Sequence, residues 1–131
     1  MLSWRTIIRS HTDGMDKNRR PSRIGEQILR DISTGMERTL AERVPGMVTF
    51  TRVRMSKDLR YATVYYSVLG SDDDRHRVAE YFDRQTGHIR RQIGAGLRLR
   101  HIPEFRFKYD PSIEEGIRIE KLLNEIKSDP E

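Results

Sequence analysis

The chain has 131 residues, room for one domain with tails and not for two sizeable domains, and its make-up of 35% hydrophobic and 34% charged residues fits a compact core with unburied ends. It has no cysteine, which excludes a disulfide framework, cysteine-ligated zinc and thiol catalysis; it also lacks an apolar run near the roughly 18 residues of a membrane span and an apolar leader, so a cytoplasmic location is expected. The net charge of +5 points to a polyanionic partner, and it is unevenly placed: six Lys/Arg against two acids in residues 1–25, nine against ten in 26–83, seven against one in 84–109, and three against seven in 110–131.

Residues 1–20 show no periodicity and carry the Lys17-Asn18-Arg19-Arg20 cluster, so they read as a mobile basic tail. Met15 precedes that cluster and is a candidate translation start beside Met1. A mitochondrial presequence is the rival reading, and Asp13 and Asp16 argue against it. From about Pro21 the repeat Ile24, Ile28, Ile32, Met36, Leu40 predicts an amphipathic helix, which Pro45-Gly46 ends.

Residues 47–57 and 60–69 read as two strands of a hairpin around Lys57-Asp58-Leu59. In the first, Val48 and Phe50 share one parity and Val53 and Met55 the other, which predicts a bulge or twist between them. Ser71 is the expected N-cap of a second helix, with Asp74 at capping-box spacing and Asp72 and Asp73 where the helix dipole favours anions. The stripe Val78, Tyr81, Phe82, Ile89, Ile93, Leu97 runs through Gly87, Gly94 and Gly96, so a kink near Gln85–Gly87 and a broken end near Gly94–Gly96 are expected. Phe105, Phe107 and Tyr109 alternate with Arg106 and Lys108 as a half-buried strand with a basic outer face. Asp110-Pro111 then opens a terminal helix carrying Ile113, Ile117, Leu122 and Ile126, and 127–131 form a short acidic tail. The order is α-β-β-α-α-β plus a final helix: an α+β fold with three strands and the helices on one sheet face. The domain is expected over 21–126.

No catalytic constellation emerges. His11, His76, His88 and His101 form no ligand-spaced pair, so no metal or cofactor is expected. Asp72-Asp73-Asp74 is explained by a helix start more simply than by magnesium. Gly94-Ala95-Gly96 lacks the Gly-Lys-Ser/Thr of a phosphate loop, and neither Ser67 nor Ser71 sits in a nucleophile elbow. The basic segment is the better lead. Arg84, Arg91 and Arg98 are seven apart with His88 between the first two; Arg90 and Arg100 flank them, Arg106 and Lys108 follow on the strand, and Gly87 would let an RNA backbone approach closely. Arg19, Arg20 and Arg23 form a second candidate contact in the N-terminal segment.

Three stretches carry a resemblance: Arg20-Pro-Ser-Arg-Ile-Gly; Ser56-Lys-Asp-Leu-Arg-Tyr-Ala, continuing through Thr-Val-Tyr-Tyr-Ser-Val-Leu-Gly70; and Leu97-Arg-Leu-Arg-His-Ile-Pro-Glu-Phe-Arg-Phe-Lys-Tyr-Asp110, continuing through Ser112-Ile113 and Gly116 to Leu122-Leu123. From Arg19 to about Ile126 the chain resembles the ribosome-binding factor A family of bacterial 30S maturation factors. The resemblance implies a KH-like type II domain in which a kinked helix marked Ala/Ser-x-Gly replaces the usual G-x-x-G loop. Here that stretch is Gln85-Thr86-Gly87, with the glycine kept and the small first residue not; Phe105 stands where leucine is commoner. It further implies a monomeric, non-enzymatic factor for growth in the cold, with 16S rRNA and the free or immature 30S subunit as partners and neither a membrane nor a small-molecule substrate. Such a factor would assist 16S rRNA 5′-end maturation and leave before translation. The alternative is a general KH-like single-stranded nucleic-acid module unrelated to ribosomes, and a third reading is a processing nuclease using Asp72–Asp74.

Overall fold

A computed structural model describes residues 16–128; residues 1–15, with both candidate start methionines, and 129–131 lie outside it. The elements are α1 (Asp16–Arg43), β1 (Met47–Met55), β2 (Tyr61–Leu69), α2 (Asp72–Gly94), β3 (Glu104–Tyr109) and α3 (Ser112–Ser128). The strands form one sheet in the order β1-β2-β3, with β1 antiparallel and β3 parallel to β2.

Helix α1 begins at Asp16, five residues before the expected start, so residues 16–20 are helical and Pro21 lies inside the helix. A proline this near a helix start removes one hydrogen bond and leaves most of the ladder intact. The buried face is the predicted one, Ile28, Ile32, Met36 and Leu40. After Arg43 the chain turns at Gly46, whose φ of +77° is left-handed and suits glycine.

The parity switch in β1 is a β-bulge between Phe50 and Arg52. Val48, Phe50, Val53 and Met55 oppose Val68, Tyr66, Val64 and Ala62, so the extra residue keeps these four side chains on the core face across the change of parity. The hairpin turn is held by side chains. Ser56 Oγ donates to Asp58 Oδ1 (2.6 Å) and accepts from the Tyr61 N–H (3.0 Å), and Leu59 sits at φ 62°.

Ser71 and Asp74 form the expected reciprocal capping box at the start of α2: each backbone N–H is received by the other's side chain. From there α2 runs as one continuous helix to Gly94, which corrects the expected division into two helices; the observed order is α-β-β-α-β-α. Gly87 costs the helix about 1 kcal/mol relative to alanine. That is small beside the burial of Phe82, Ile89 and Ile93, each worth roughly 1.5–3 kcal/mol, on either side of it. The helix does stop at Gly94. A Cβ there would come within 2.5 Å of Ile102 Cγ2, so glycine lets the returning loop pack against the helix end.

The core lies between the sheet and the two long helices. Ala62, Val64, Tyr66 and Val68 of β2 and Phe105 of β3 meet the stripes of α1 and α2. Phe82 is its centre, stacked on Phe107 at 4.4 Å and 4.7 Å from Tyr66. The fold is thus α+β and KH-like, with α1 and α2 on one sheet face. Helix α3 starts as read: Asp110 Oδ1 accepts from the Ser112 N–H (3.0 Å), and Pro111 precedes the first helical residue. Asp110 Oδ2 also accepts from Thr51 Oγ1 (2.7 Å), tying the cap to the β1 bulge. The helix extends through Ser128, so Lys127 and Ser128 belong to it rather than to a tail. Beyond Glu114, which pairs with Arg75, its side chains stay exposed through Ile126. Among the described residues no helix is long and apolar enough to cross a membrane.

Candidate RNA interface

On α2 the core face is defined by Val78, Phe82, Ile89 and Ile93. At 100° per residue, Arg84, Gly87, His88 and Arg91 fall on the opposite side, and all four are exposed. Among the described residues neither Arg84 nor Arg91 belongs to an ion pair, so both cations are available. A Cβ on Gly87 would meet nothing within 4 Å. No packing requires glycine there, and its bare backbone faces solvent between two arginines. Arg98 does not continue the row, because the helix ends at Gly94; it is exposed in the loop that follows.

That loop brings distant cations together. Arg20 from α1, Arg60 from the hairpin turn, Arg90 from α2 and Arg100 and His101 from the loop line one open cleft of about 480 Å³, with Asp58 and Glu104 as its acids. Arg90 also holds the loop in place: its Nε donates to the Pro103 carbonyl (2.9 Å) and its Nη2 to the Ile102 carbonyl (2.7 Å). It therefore builds the wall on which Arg100 stands. Asp58 is occupied within the turn. The Ser56 hydroxyl and the Arg60 backbone N–H hold its carboxyl below the usual carboxylate range. Arg19 and Arg23 are exposed on the first turns of α1, beside Arg20. The N-terminal cations are thus helical, and Arg20 among them lines the cleft.

Arg106 and Lys108 stand apart. They oppose Thr63 and Tyr65 of β2, while Phe105, Phe107 and Tyr109 point to the core. Strand alternation therefore puts both cations on the sheet face turned away from α2. The expected single basic surface of helix plus strand divides into two, on opposite sides of the sheet. Sequence reasoning passed over Arg60, which only the hairpin geometry brings to Arg20. It also passed over Arg52 and Arg54 of β1, which the alternation around the bulge could have assigned to the outer face.

The three aspartates at the start of α2 have structural partners. Asp72 pairs with Arg75 (3.3 Å), Asp73 with Arg77 (3.1 Å), and Asp74 completes the capping box. Among the described residues no group of three or more His, Asp or Glu is arranged to hold a metal ion.

The sequence pattern of the ribosome-binding factor A family matches residues 20–123, from the α1 arginines to the middle of α3. The chain belongs to the ribosome-binding factor A family. Ribosome-binding factor A of Brevibacillus brevis is 40% identical over 112 residues, which cover 86% of this chain and 93% of that one. Ribosome-binding factor A of Citrifermentans bemidjiense is 42% identical over 108 residues, 82% of this chain and 91% of its own. The solution NMR structure of a candidate ribosome binding factor A from Thermotoga maritima aligns with a TM-score of 0.56 at 37% identity, covering 72% of this chain and 91% of that one. The crystal structure of ribosome-binding factor A from Thermus thermophilus shares the fold, with a TM-score of 0.58 at 18% identity over 68% of this chain and 94% of the other. The ribosome-binding factor A match takes in every described residue of the basic cleft.

Proposed function

We propose that this member of the ribosome-binding factor A family binds the immature small ribosomal subunit as a monomer, through phosphates of 16S rRNA, and assists maturation of the rRNA 5′ end without catalysis. The observation that carries this reading is the convergence of Arg20, Arg60, Arg90 and Arg100, from four parts of the chain, on one open cleft continuous in sequence with the α2 arginines. Such an array suits phosphates held in a particular arrangement, so shape and unpaired segments would be read rather than a duplex major groove. A factor of this kind acts by favouring one rRNA conformation over another, and needs only differential affinity for the two. The pairing of Asp72 and Asp73 with arginines, and of Asp74 with Ser71, supports the non-catalytic reading over a nuclease.

Co-sedimentation with small subunits tests it. Reversing Arg20 and Arg100 of the cleft to Glu is expected to weaken binding at least about tenfold at physiological salt and to flatten the salt dependence, since each phosphate contact adds roughly 0.7–0.9 to the slope of log affinity against log salt. Both residues are exposed, so the melting temperature should stay within a few degrees of the parent. Undiminished co-sedimentation of a folded variant refutes this assignment.

A further inference from the structure

Every lysine and arginine on the three strands faces away from the helices. Arg52 and Arg54 of β1 oppose Tyr65 and Thr63, and Arg106 and Lys108 of β3 oppose the same two residues from the other side. The central strand thus presents Tyr61, Thr63 and Tyr65 in a row, with a cation on each side of Thr63 and of Tyr65. One acid, Glu104, lies on the strands, at the edge beside Tyr61. Among the described residues no helix covers this face: α1 and α2 pack on the other side, and α3 makes no extensive contact with the sheet.

Two of the arginines sit over tyrosine rings. Arg52 Cζ is 4.1 Å from the Tyr65 ring centroid, and Arg106 Cζ is 4.2 Å from that of Tyr61. All four cations are exposed, and among the described residues none is in an ion pair. At strand rise the two rings are about 13 Å apart, with the small Thr63 between them flanked by Arg54 and Arg106. Two aromatic platforms, a low saddle, and cations on both sides of the saddle suit an unpaired nucleic-acid strand, whose bases stack and whose phosphates carry the opposite charge.

We propose that this outer sheet face is a second RNA-binding surface, which takes an unpaired segment by stacking bases on Tyr61 and Tyr65 while Arg54 and Arg106 hold the phosphate between them. The arginines now over the rings would move to the phosphates when bases replace them. The inference rests on the rRNA reading above for its ligand and extends the basic cleft, whose lining includes Tyr61, across the outer sheet face.

The full chain is tested by fluorescence anisotropy on a labelled single-stranded RNA of about ten nucleotides and on a duplex of the same sequence, with small-subunit co-sedimentation in parallel. The pair Tyr61→Leu/Tyr65→Leu should bind the single strand at least about tenfold more weakly, because a base–aromatic stack is worth about that factor or more. Duplex binding should be unchanged, and Tyr61→Phe/Tyr65→Phe should retain single-strand affinity. Arg54→Gln/Arg106→Gln, changed at exposed positions, should also weaken single-strand binding and lower its salt slope, by about 0.7 for each cation. Unaltered single-strand affinity in the folded leucine and glutamine variants overturns the inference. Loss of subunit binding in the leucine variant without loss of RNA binding gives the face to a protein and overturns it as well. A parent chain that co-sediments with subunits but binds no single strand sinks this surface alone; a parent that binds neither sinks the rRNA reading too.

Discussion

Helix α2 presses Val78, Phe82, Ile89 and Ile93 into the core, whereas α3 leaves Ile117, Leu122 and Ile126 exposed to 42%, 53% and 72%. The two helices differ in how the chain holds them. Helix α2 leaves β2 and must return to β3, so both its ends are fixed to the sheet and its length crosses that surface. Helix α3 is fixed at one end, by the Asp110 cap and the Arg75–Glu114 pair, and projects from there. Similar apolar spacing therefore yields a core helix where topology supplies a surface and an open stripe where it does not.

The largest test of this contrast is truncation on each stripe. Phe82→Ala removes a ring that is 1% exposed and stacked on Phe107, and should cost about 3–5 kcal/mol in urea unfolding. Leu122→Ala should change stability by less than about 0.5 kcal/mol. Comparable losses would show that α3 is packed in solution and would break the comparison.

The attachment of α3 is the next largest effect. Asp110→Ala removes the N-cap and its bond to Thr51 and should cost about 1–2 kcal/mol at neutral pH. The effect has a defined pH sign. The Ser112 backbone N–H holds the Asp110 carboxyl below its usual range in the folded state, while the unfolded chain returns it to about 3.9. The stabilisation is thus complete above that value and disappears as pH falls through the folded value. Thermal melts of parent and variant should therefore be well separated at pH 7 and converge towards pH 2. A gap that persists into acid would mean that the cap acts through shape rather than charge.

Much of this arrangement could be read from local patterns. The parity switch around Thr51 located the bulge, and Ser71 and Asp110 marked helix starts, because each depends on residues within a few positions of one another. The candidate site was legible as a set of cations but not as a surface. Arg20, Arg60 and Arg100 meet only because the hairpin tip, the start of α1 and the loop after α2 converge on one end of the fold. Arg90 anchors that loop through the carbonyls of residues 102 and 103, a contact that no spacing rule anticipates. The expected division of α2 into two helices is not seen for a related reason: a local helix propensity of about 1 kcal/mol at Gly87 yields to burial on the opposite face of the same turns.

Gly87 and Gly116 give the smallest and most discriminating test. Both are exposed helical glycines, and a Cβ at either would meet nothing within 4 Å. Alanine at either position should therefore raise helix stability by about 0.5–1 kcal/mol, seen as a higher melting temperature for Gly87→Ala and as greater helical ellipticity for Gly116→Ala. Their effects on subunit binding should separate. Gly87 lies between Arg84 and Arg91, where an added methyl stands in the path of an approaching RNA backbone, so Gly87→Ala should weaken co-sedimentation despite its added stability. Gly116 sits on a helix with no basic cluster and should leave binding unchanged. A stabilised Gly87→Ala variant with full affinity would show that the bare backbone of α2 makes no contact with the subunit, and would leave the arginines beside it to bind without it.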